Sequence, residues 1–359
     1  MKFENFDTGN HFTIGVELEL RILDKFDLTA KNEFDYIKSN INKKYSDNLA
    51  KEFLASMLEI NTPIFHYEKD LIQYLKEIIN ELNKIAQKKN LCLQTSGSYA
   101  QENLEFQINQ DERYKKIYDE HKVLLDNFSI CGTHVHIGFE NFDKALKAYN
   151  YSIYYLPLFV ALSASSVFHN EMDTGIHSYR TKIFERLPKA SIPEYFDSYE
   201  QMKEIYDLLY KSKIIKSTKD IWWDVRIQPH FKTVEFRVCD AINDFERLEV
   251  CIALFKSICQ LSQIEDYVKV PMQILKQNMW SATRYSMDGK MVTIDANVIS
   301  IRDMLKDITL KAYENSFLTK ELKEKCEKII EKKSIAQEMI DIYKRTNSLK
   351  EVERLGVFE

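Results

Sequence analysis

Residues Gly15–Leu20 read GVELEL, a strict alternation of apolar and acidic side chains. In a β-strand successive side chains face opposite sides, so residues i and i+2 share one face roughly 6.5–7 Å apart. The stretch therefore predicts a strand that buries Val16, Leu18 and Leu20 and presents Glu17 and Glu19 together on its other side. The same pattern recurs four times. In Asn103–Asn109, Glu105, Gln107 and Asn109 alternate with Leu104, Phe106 and Ile108. His134 and His136 flank Val135 in Thr133–Ile137, and Asp224 and Arg226 alternate with apolar neighbours in Trp223–Ile227. In Val234–Asp240 (VEFRVCD), Glu235 and Arg237 stand opposite Phe236 and Val238. A sheet face that simply meets water ordinarily displays Lys, Thr and Ser. These faces carry Glu, His, Arg and Asp and almost no Lys. The expected fold is α+β: a curved, mostly antiparallel sheet with a charged working face in front and helices packed behind.

The flanking sequence supplies the helices. Tyr67–Asn90 places Leu71, Ile72, Leu75, Ile78, Ile79, Leu82 and Ile85 on one helical face, and Leu248–Ile264 and Leu318–Tyr343 read similarly. Tyr151–Phe168 is the most apolar stretch, but Pro157 and four serines interrupt it; it reads as a buried helix and is too short for a membrane span. With 359 residues, 45% of them hydrophobic, and only eight Gly and six Pro, the chain has material for a large core and little for linkers. A single catalytic domain over 1–359 is expected, its motif-bearing core at about 12–290 and a helical C-terminal region at about 291–359.

The net charge of −5 argues against nucleic acid as a partner, which calls for a basic surface. The N-terminal residues MKFENFDTGNHF lack the apolar core of a signal peptide. Cys92, Cys131, Cys239, Cys251, Cys259 and Cys326 form no CxxC pair, the usage of buried thiols in a reducing cytosol. A soluble cytoplasmic protein is expected, without membrane partners; a homodimer through exposed helices is compatible with the sequence.

Carboxylates spaced two apart on a strand are hard oxygen ligands for Mg²⁺ or Mn²⁺. Glu17, Glu19 and Glu235, with Glu59 from the segment LEINTP, could hold two or three such ions, which screen nucleotide phosphates during phosphoryl transfer. Arg180, Arg226 and Arg237 suit bidentate contacts to phosphate or carboxylate oxygens. The His134/His136 pair is compatible with zinc, with a phosphate or metal contact by one ring, or with a structural pair. There is no GxxxxGK[ST] loop, no GxGxxG and no GxSxG elbow at Ser96 or Ser163–Ser166. Any nucleotide would have to be held by metal and basic side chains.

Nine blocks, taken in order, resemble the type 2 glutamate–cysteine ligases: GVELE (15–19), EINT (59–62), RY (113–114), CGTHVHIG (131–138), LSASS (162–166), DTGIHSYR (173–180), WWDVR (222–226), TVEFRVCD (233–240) and NMWSATR (278–284). The resemblance implies a glutamine synthetase-like fold with a funnel-shaped active site. It implies ATP-dependent amide formation through an acyl phosphate, with Mg²⁺ and with small-molecule carboxylate and amine substrates, glutamate and cysteine being the default pair. It makes Glu17, Glu19, Glu59 and Glu235 the metal ligands. Arg180, Arg226 and Arg237 become the catalytic arginines, Arg180 and Arg226 also binding the substrate carboxylate or the transferred phosphoryl group. His134, His136, Arg237, Asn278 and Arg284 fall to the nucleotide, and Arg113 and Trp222 to the substrate. The chain departs from the family pattern at Gly97–Ala100, where Gly-x-His-Pro is usual, and at Lys182–Pro188, which bears on specificity. Two other readings use the same residues: a metal-dependent hydrolase or phosphodiesterase, and a non-catalytic binding protein on the same fold.

Overall fold

Strand β1 (Ile14–Asp24) is the axis of the computed structural model, which describes residues 11–102, 107–126 and 128–358. The other strands of its sheet are β2 (Leu49–Lys51), β3 (Met57–Asn61), β4 (Leu91–Gln94), β5 (Gly132–Gly138), β6 (Val225–Gln228) and β7 (Thr233–Asp240). Their order is β6-β7-β5-β1-β3-β2, and every pairing is antiparallel. One edge of β1 is shared: its Ile14–Leu18 half pairs with β5 and its Arg21–Asp24 half with β4, while Glu17–Arg21 pairs with β3 along the other edge. A register shift between Phe236 and Cys239 bends β7 against β5. The α+β reading and the antiparallel sheet are found as expected.

The alternation in β1 sorts its side chains as the sequence requires. Ile14, Val16, Leu18 and Leu20 are buried, whereas Glu17 and Glu19 are half-buried on the opposite face. Behind the apolar face lie helices Glu68–Gln87, Phe142–Ile153, Leu156–Ser163 and Phe245–Leu261. All seven apolar residues read from Tyr67–Asn90 are buried in the first of these. Phe236 of β7 is fully buried there, its ring 4.0 Å from that of Phe255 and 6.3 Å from that of Phe159. No helix among the described residues is long and apolar enough to cross a membrane.

Three expectations need correction, and a fourth falls partly outside the described residues. The alternation over Trp223–Ile227 is not one strand: Trp222–Trp223 pairs in parallel with Ala190–Ser191, and β6 begins only at Val225. Between them the Asp224 N–H donates to Ser191 O and its carbonyl accepts from Arg237 N, which turns the chain from one partner to the other. Tyr151–Phe168 is two helices and a short strand, because Pro157 starts a new helix after Tyr154–Tyr155. Leu318–Tyr343 divides into Lys320–Glu331 and Ile335–Thr346, with the Ser334 side chain capping the second by accepting from Gln337 N. Of Asn103–Asn109, residues 103–106 lie outside the described residues, and Ile108 makes only an isolated bridge to Leu54.

The edge of β4 left free by β1 is covered from far along the chain. Thr95 N donates to Gly356 O and Phe358 N to Leu93 O. Beneath this pairing runs a buried polar path: Arg21 Nη1 donates to Gln94 Oε1 (3.0 Å), and Gln94 Nε2 donates to Glu353 Oε2 (2.7 Å).

Candidate active site

The polar face of the sheet forms the floor of a cleft of about 580 Å³. The antiparallel register sets its side chains in three cross-strand rows. Arg226, Glu235 and His136 face one another across β6, β7 and β5. His134, Glu17 and Asn61 form the next row across β5, β1 and β3. Glu19 lies opposite Glu59, with Gly132 N donating to Glu19 Oε2 at 2.5 Å.

Each row has its own electrostatics. In the first, Arg226 donates to both oxygens of Glu235, Nε to Oε2 at 2.7 Å and Nη2 to Oε1 at 3.0 Å, and Arg237 Nη1 adds a bond to Oε1 at 2.5 Å. Burial alone would raise the pKa of Glu235, but the two guanidinium groups outweigh it and hold the carboxyl far below its ordinary range. In the middle row Glu17 bonds His134 Nδ1 at 2.9 Å and His136 Nε2 at 3.2 Å. Those bonds, against burial, keep Glu17 well below the usual carboxylate range. His134 is pushed down to about 4 by burial and by Arg237, so its ring is neutral. Burial also works against charge on His136, yet the Glu235 and Glu17 carboxylates raise it above its ordinary value.

The third row gathers like charges. Glu52, just past β2, joins Glu19 and Glu59, and the three offer oxygens within 4.8 Å of one another. Burial and the mutual repulsion of these carboxyls push Glu52 up to about 7 and Glu59 well above its ordinary value. Burial raises Glu19 too, against the pull of Arg180.

This set of donors fits divalent cations. Glu17, Glu59 and His134 form a second cluster with the same mutual spacing, sharing Glu59 with the first. His134 Nε2 is buried without a hydrogen-bond partner, 3.9 Å from Glu19 Oε1. A neutral imidazole that donates from Nδ1 to Glu17 turns an Nε2 lone pair toward the Glu19 carboxylate, an arrangement a cation between them would relieve. A third grouping, Glu17, His136 and Glu235, is different: both Glu235 oxygens are already taken by guanidinium groups. Glu235, expected as a metal ligand, is fully buried and paired with two arginines.

Arg180 reaches the cleft from the opposite wall, the helix Tyr179–Phe184. Its backbone N–H donates to Ser166 Oγ, and Ser166 Oγ in turn donates to the buried Asp240 (2.7 Å), which also accepts from Ser178 Oγ (2.9 Å). The LSASS and DTGIHSYR blocks are thus the mount for this arginine. Its guanidinium passes so close to Gly132 that a Cβ there would lie 2.3 Å from Nη2, which is why glycine occupies that position.

The remaining expected residues divide. Trp222 and the exposed Arg113 line the cleft. Asn278 and Arg284 do not: Asn278 is buried in a two-way bond with the Val292 backbone, and Arg284 lies over the Tyr285 ring. Both belong to the helix Met272–Tyr285, outside the cleft. Glu52 escaped the sequence reading because it stands in no alternating run; its only signal is an acid seven residues before Glu59. Unread too was the aromatic side of the cleft, where Phe53, Phe128 and Phe184 come from three separate segments.

Comparison with known proteins gives a consistent result. The family model described as glutamate-cysteine ligase family 2 matches residues 13–354. A protein of Solibacter usitatus named provisionally as glutamate–cysteine ligase 2 is 30% identical over 308 residues, 82% of this chain and 79% of its own length. One of the same name from Bdellovibrio bacteriovorus is 29% identical, covering 84% and 82%. The crystal structure of glutamate–cysteine ligase from Francisella tularensis in complex with AMP matches at a TM-score of 0.67 with 14% identity, over 98% of this chain and 88% of that one. A bifunctional glutathione synthetase from Pasteurella multocida matches at 0.70, also 14% identical, over 97% of this chain and 52% of that one. At such identities the likeness is one of fold.

Proposed function

Because the chain belongs to glutamate–cysteine ligase family 2, an ATP-dependent carbon–nitrogen ligase family, we propose that it joins a carboxylate to an amine through an acyl phosphate. The observation that carries the reading is the adjoining carboxylate clusters of one cleft, Glu19/Glu52/Glu59 and Glu17/Glu59/His134, faced by Arg180 and Arg237. In the first step a carboxylate oxygen bonds to the γ-phosphorus of ATP and the bond to ADP breaks. In the second the amine nitrogen bonds to the acyl carbon, phosphate leaves and the amine loses a proton.

Both steps gather negative charge, and preorganised cations in a water-poor cleft stabilise it without reorganising. Glu17, Glu19, Glu52, Glu59 and His134 would hold Mg²⁺ or Mn²⁺, which supplies charge neutralisation at the phosphates. Arg180, fixed through Ser166 and Asp240, and Arg237, fixed through Glu235, supply the protein's own positive charge. Arg226 acts through Glu235: it holds the carboxylate that aims Arg237. Glutamate and cysteine are the default substrates. A reducing cytosol suits the six free, buried cysteines, of which Cys131 and Cys239 are pushed up to about 12 by burial and so are inert as thiolates.

The test is ADP and phosphate release from Mg²⁺–ATP with glutamate and a panel of amines that includes cysteine. Release that requires both a carboxylate and an amine supports ligation. Product release without ATP would favour a hydrolase, and absence of nucleotide binding a non-catalytic protein.

A further inference from the structure

The cleft has two unlike halves. Beyond Glu52 and Arg180 the charged floor gives way to rings in a connected series. Tyr114 packs on Phe53 (6.1 Å between centroids), Phe53 on Phe128 (6.0 Å), Phe128 on Phe184 (5.7 Å) and Phe184 on Trp222 (6.3 Å). All five line the cleft. All but Phe184 belong to or pack against an apolar cluster separate from the main core. Phe128, Phe184 and Trp222 are only half-buried, so they keep ring surface turned to the cleft. The wall meets the polar half at Phe184, whose ring lies 5.5 Å from the Arg180 guanidinium. Leu187, three residues on, also lines the cleft.

Resting on the ligase reading above, we propose that this wall is the acceptor subsite and that the amine joined by this enzyme carries an aromatic side chain. Pockets for such groups are apolar and aromatic, with a few polar groups placed to orient the reacting end. The acyl donor is the poorer occupant. A donor such as glutamate carries two further charges besides the carboxylate that reacts, and rings would leave both unsatisfied. An aromatic amine has one polar end, which the boundary at Arg180 and Glu52 directs to the reaction centre. Arg113, exposed at the rim beside the Tyr114 ring, is placed for a carboxylate when the acceptor is an amino acid.

The test uses the full chain with Mg²⁺–ATP and glutamate and compares ADP release with phenethylamine and phenylalanine against ethylamine, alanine and cysteine. Equilibrium binding of phenethylamine and ethylamine to the protein with Mg²⁺ and a non-hydrolysable ATP analogue removes any dependence on the donor. We expect the aromatic amines to lead by at least tenfold in kcat/KM and phenethylamine to bind at least tenfold more tightly. Phe184→Ala, and the milder Phe128→Leu should the former fold poorly, lower the ratio of aromatic to aliphatic kcat/KM severalfold. Equal binding of the two amines, or a preference for cysteine with amine-dependent turnover intact, overturns the subsite while leaving the ligase standing. A preference for aromatic carboxylates with small amines overturns its assignment to the acceptor. No ATP turnover with any pair, together with equal binding, removes both readings.

Discussion

Arg226 grips Glu235 as a two-pronged fork, Nε to Oε2 at 2.7 Å and Nη2 to Oε1 at 3.0 Å, with the carboxylate fully buried. A charge held this way cannot be removed quietly. Glu235→Gln leaves Arg226 and Arg237 facing one another out of water, and breaking such a buried pair costs about 3–5 kcal/mol. Denaturant unfolding should register that loss alongside the loss of turnover. An unchanged midpoint would mean that the arginines find water or another partner.

His134→Ala removes the unpartnered Nε2 from between Glu17 and Glu19. Affinity for Mn²⁺, measured by titration against its paramagnetic signal, should drop at least about tenfold, the scale on which even outer partners of a metal act. Undiminished binding would take His134 out of the ligand set.

The acidic row makes cation binding depend on pH. Folding pushes Glu52 from 4.5 up to about 7, so the folded protein keeps a proton that the unfolded chain has lost. That contribution to stability is complete below about pH 4.5 and is lost as pH rises through about 7, so the metal-free protein should soften over this range. A cation must displace the same proton, so Mg²⁺ affinity should rise from about pH 6 to 8 with measurable proton release. Calorimetry in two buffers of different ionisation enthalpy reads the release directly, and Glu52→Gln should reduce it. A pH-independent affinity would refute the assignment.

Gly132→Ala tests how closely Arg180 must sit. The added methyl would lie 2.3 Å from Nη2 and 2.9 Å from Cζ, and the flexible guanidinium will swing away. Misplacement by an ångström near a reaction centre can lower the rate by about a hundredfold. We expect that loss in kcat with a thermal midpoint within a few degrees of the parent. Full activity would show that Arg180 works from elsewhere.

Phe236→Ala probes the other face of β7. Its ring is enclosed by Phe159 and Phe255, and truncation should lower stability by about 3–5 kcal/mol. A negligible change in unfolding free energy would contradict the packing behind the sheet.

The parts legible in the sequence were those governed by a two-residue period. β1, β5 and β7 each carry the alternation that separates core from cleft, and that alternation alone puts Glu17, Glu19, His134 and Arg237 on one face. Period alone does not fix which polar residues will be covered by other elements. Glu235 shares the alternation of Arg237, yet β6 brings Arg226 over it and removes it from solvent. Nor does a period reveal residues that arrive singly. Glu52 and Phe128 reach the cleft from the ends of short irregular segments, placed by tertiary packing. Asn278 and Arg284 show the converse: the block resembles its family, while its helix lies outside the cleft and binds the Val292 backbone.

The pairing of β4 with the segment at Gly356–Phe358 bears on the order in which the protein matures. Gln94 and Glu353 lie 259 positions apart, and their bond completes the path to Arg21, two residues beyond Glu19 on β1. Contacts so distant along the chain are among the slowest to form. A refolding chain should therefore regain its helices well before its catalytic strand is locked in register. The sensitive assay of complete folding is then recovery of cation binding, which should lag behind recovery of the far-ultraviolet helical signal.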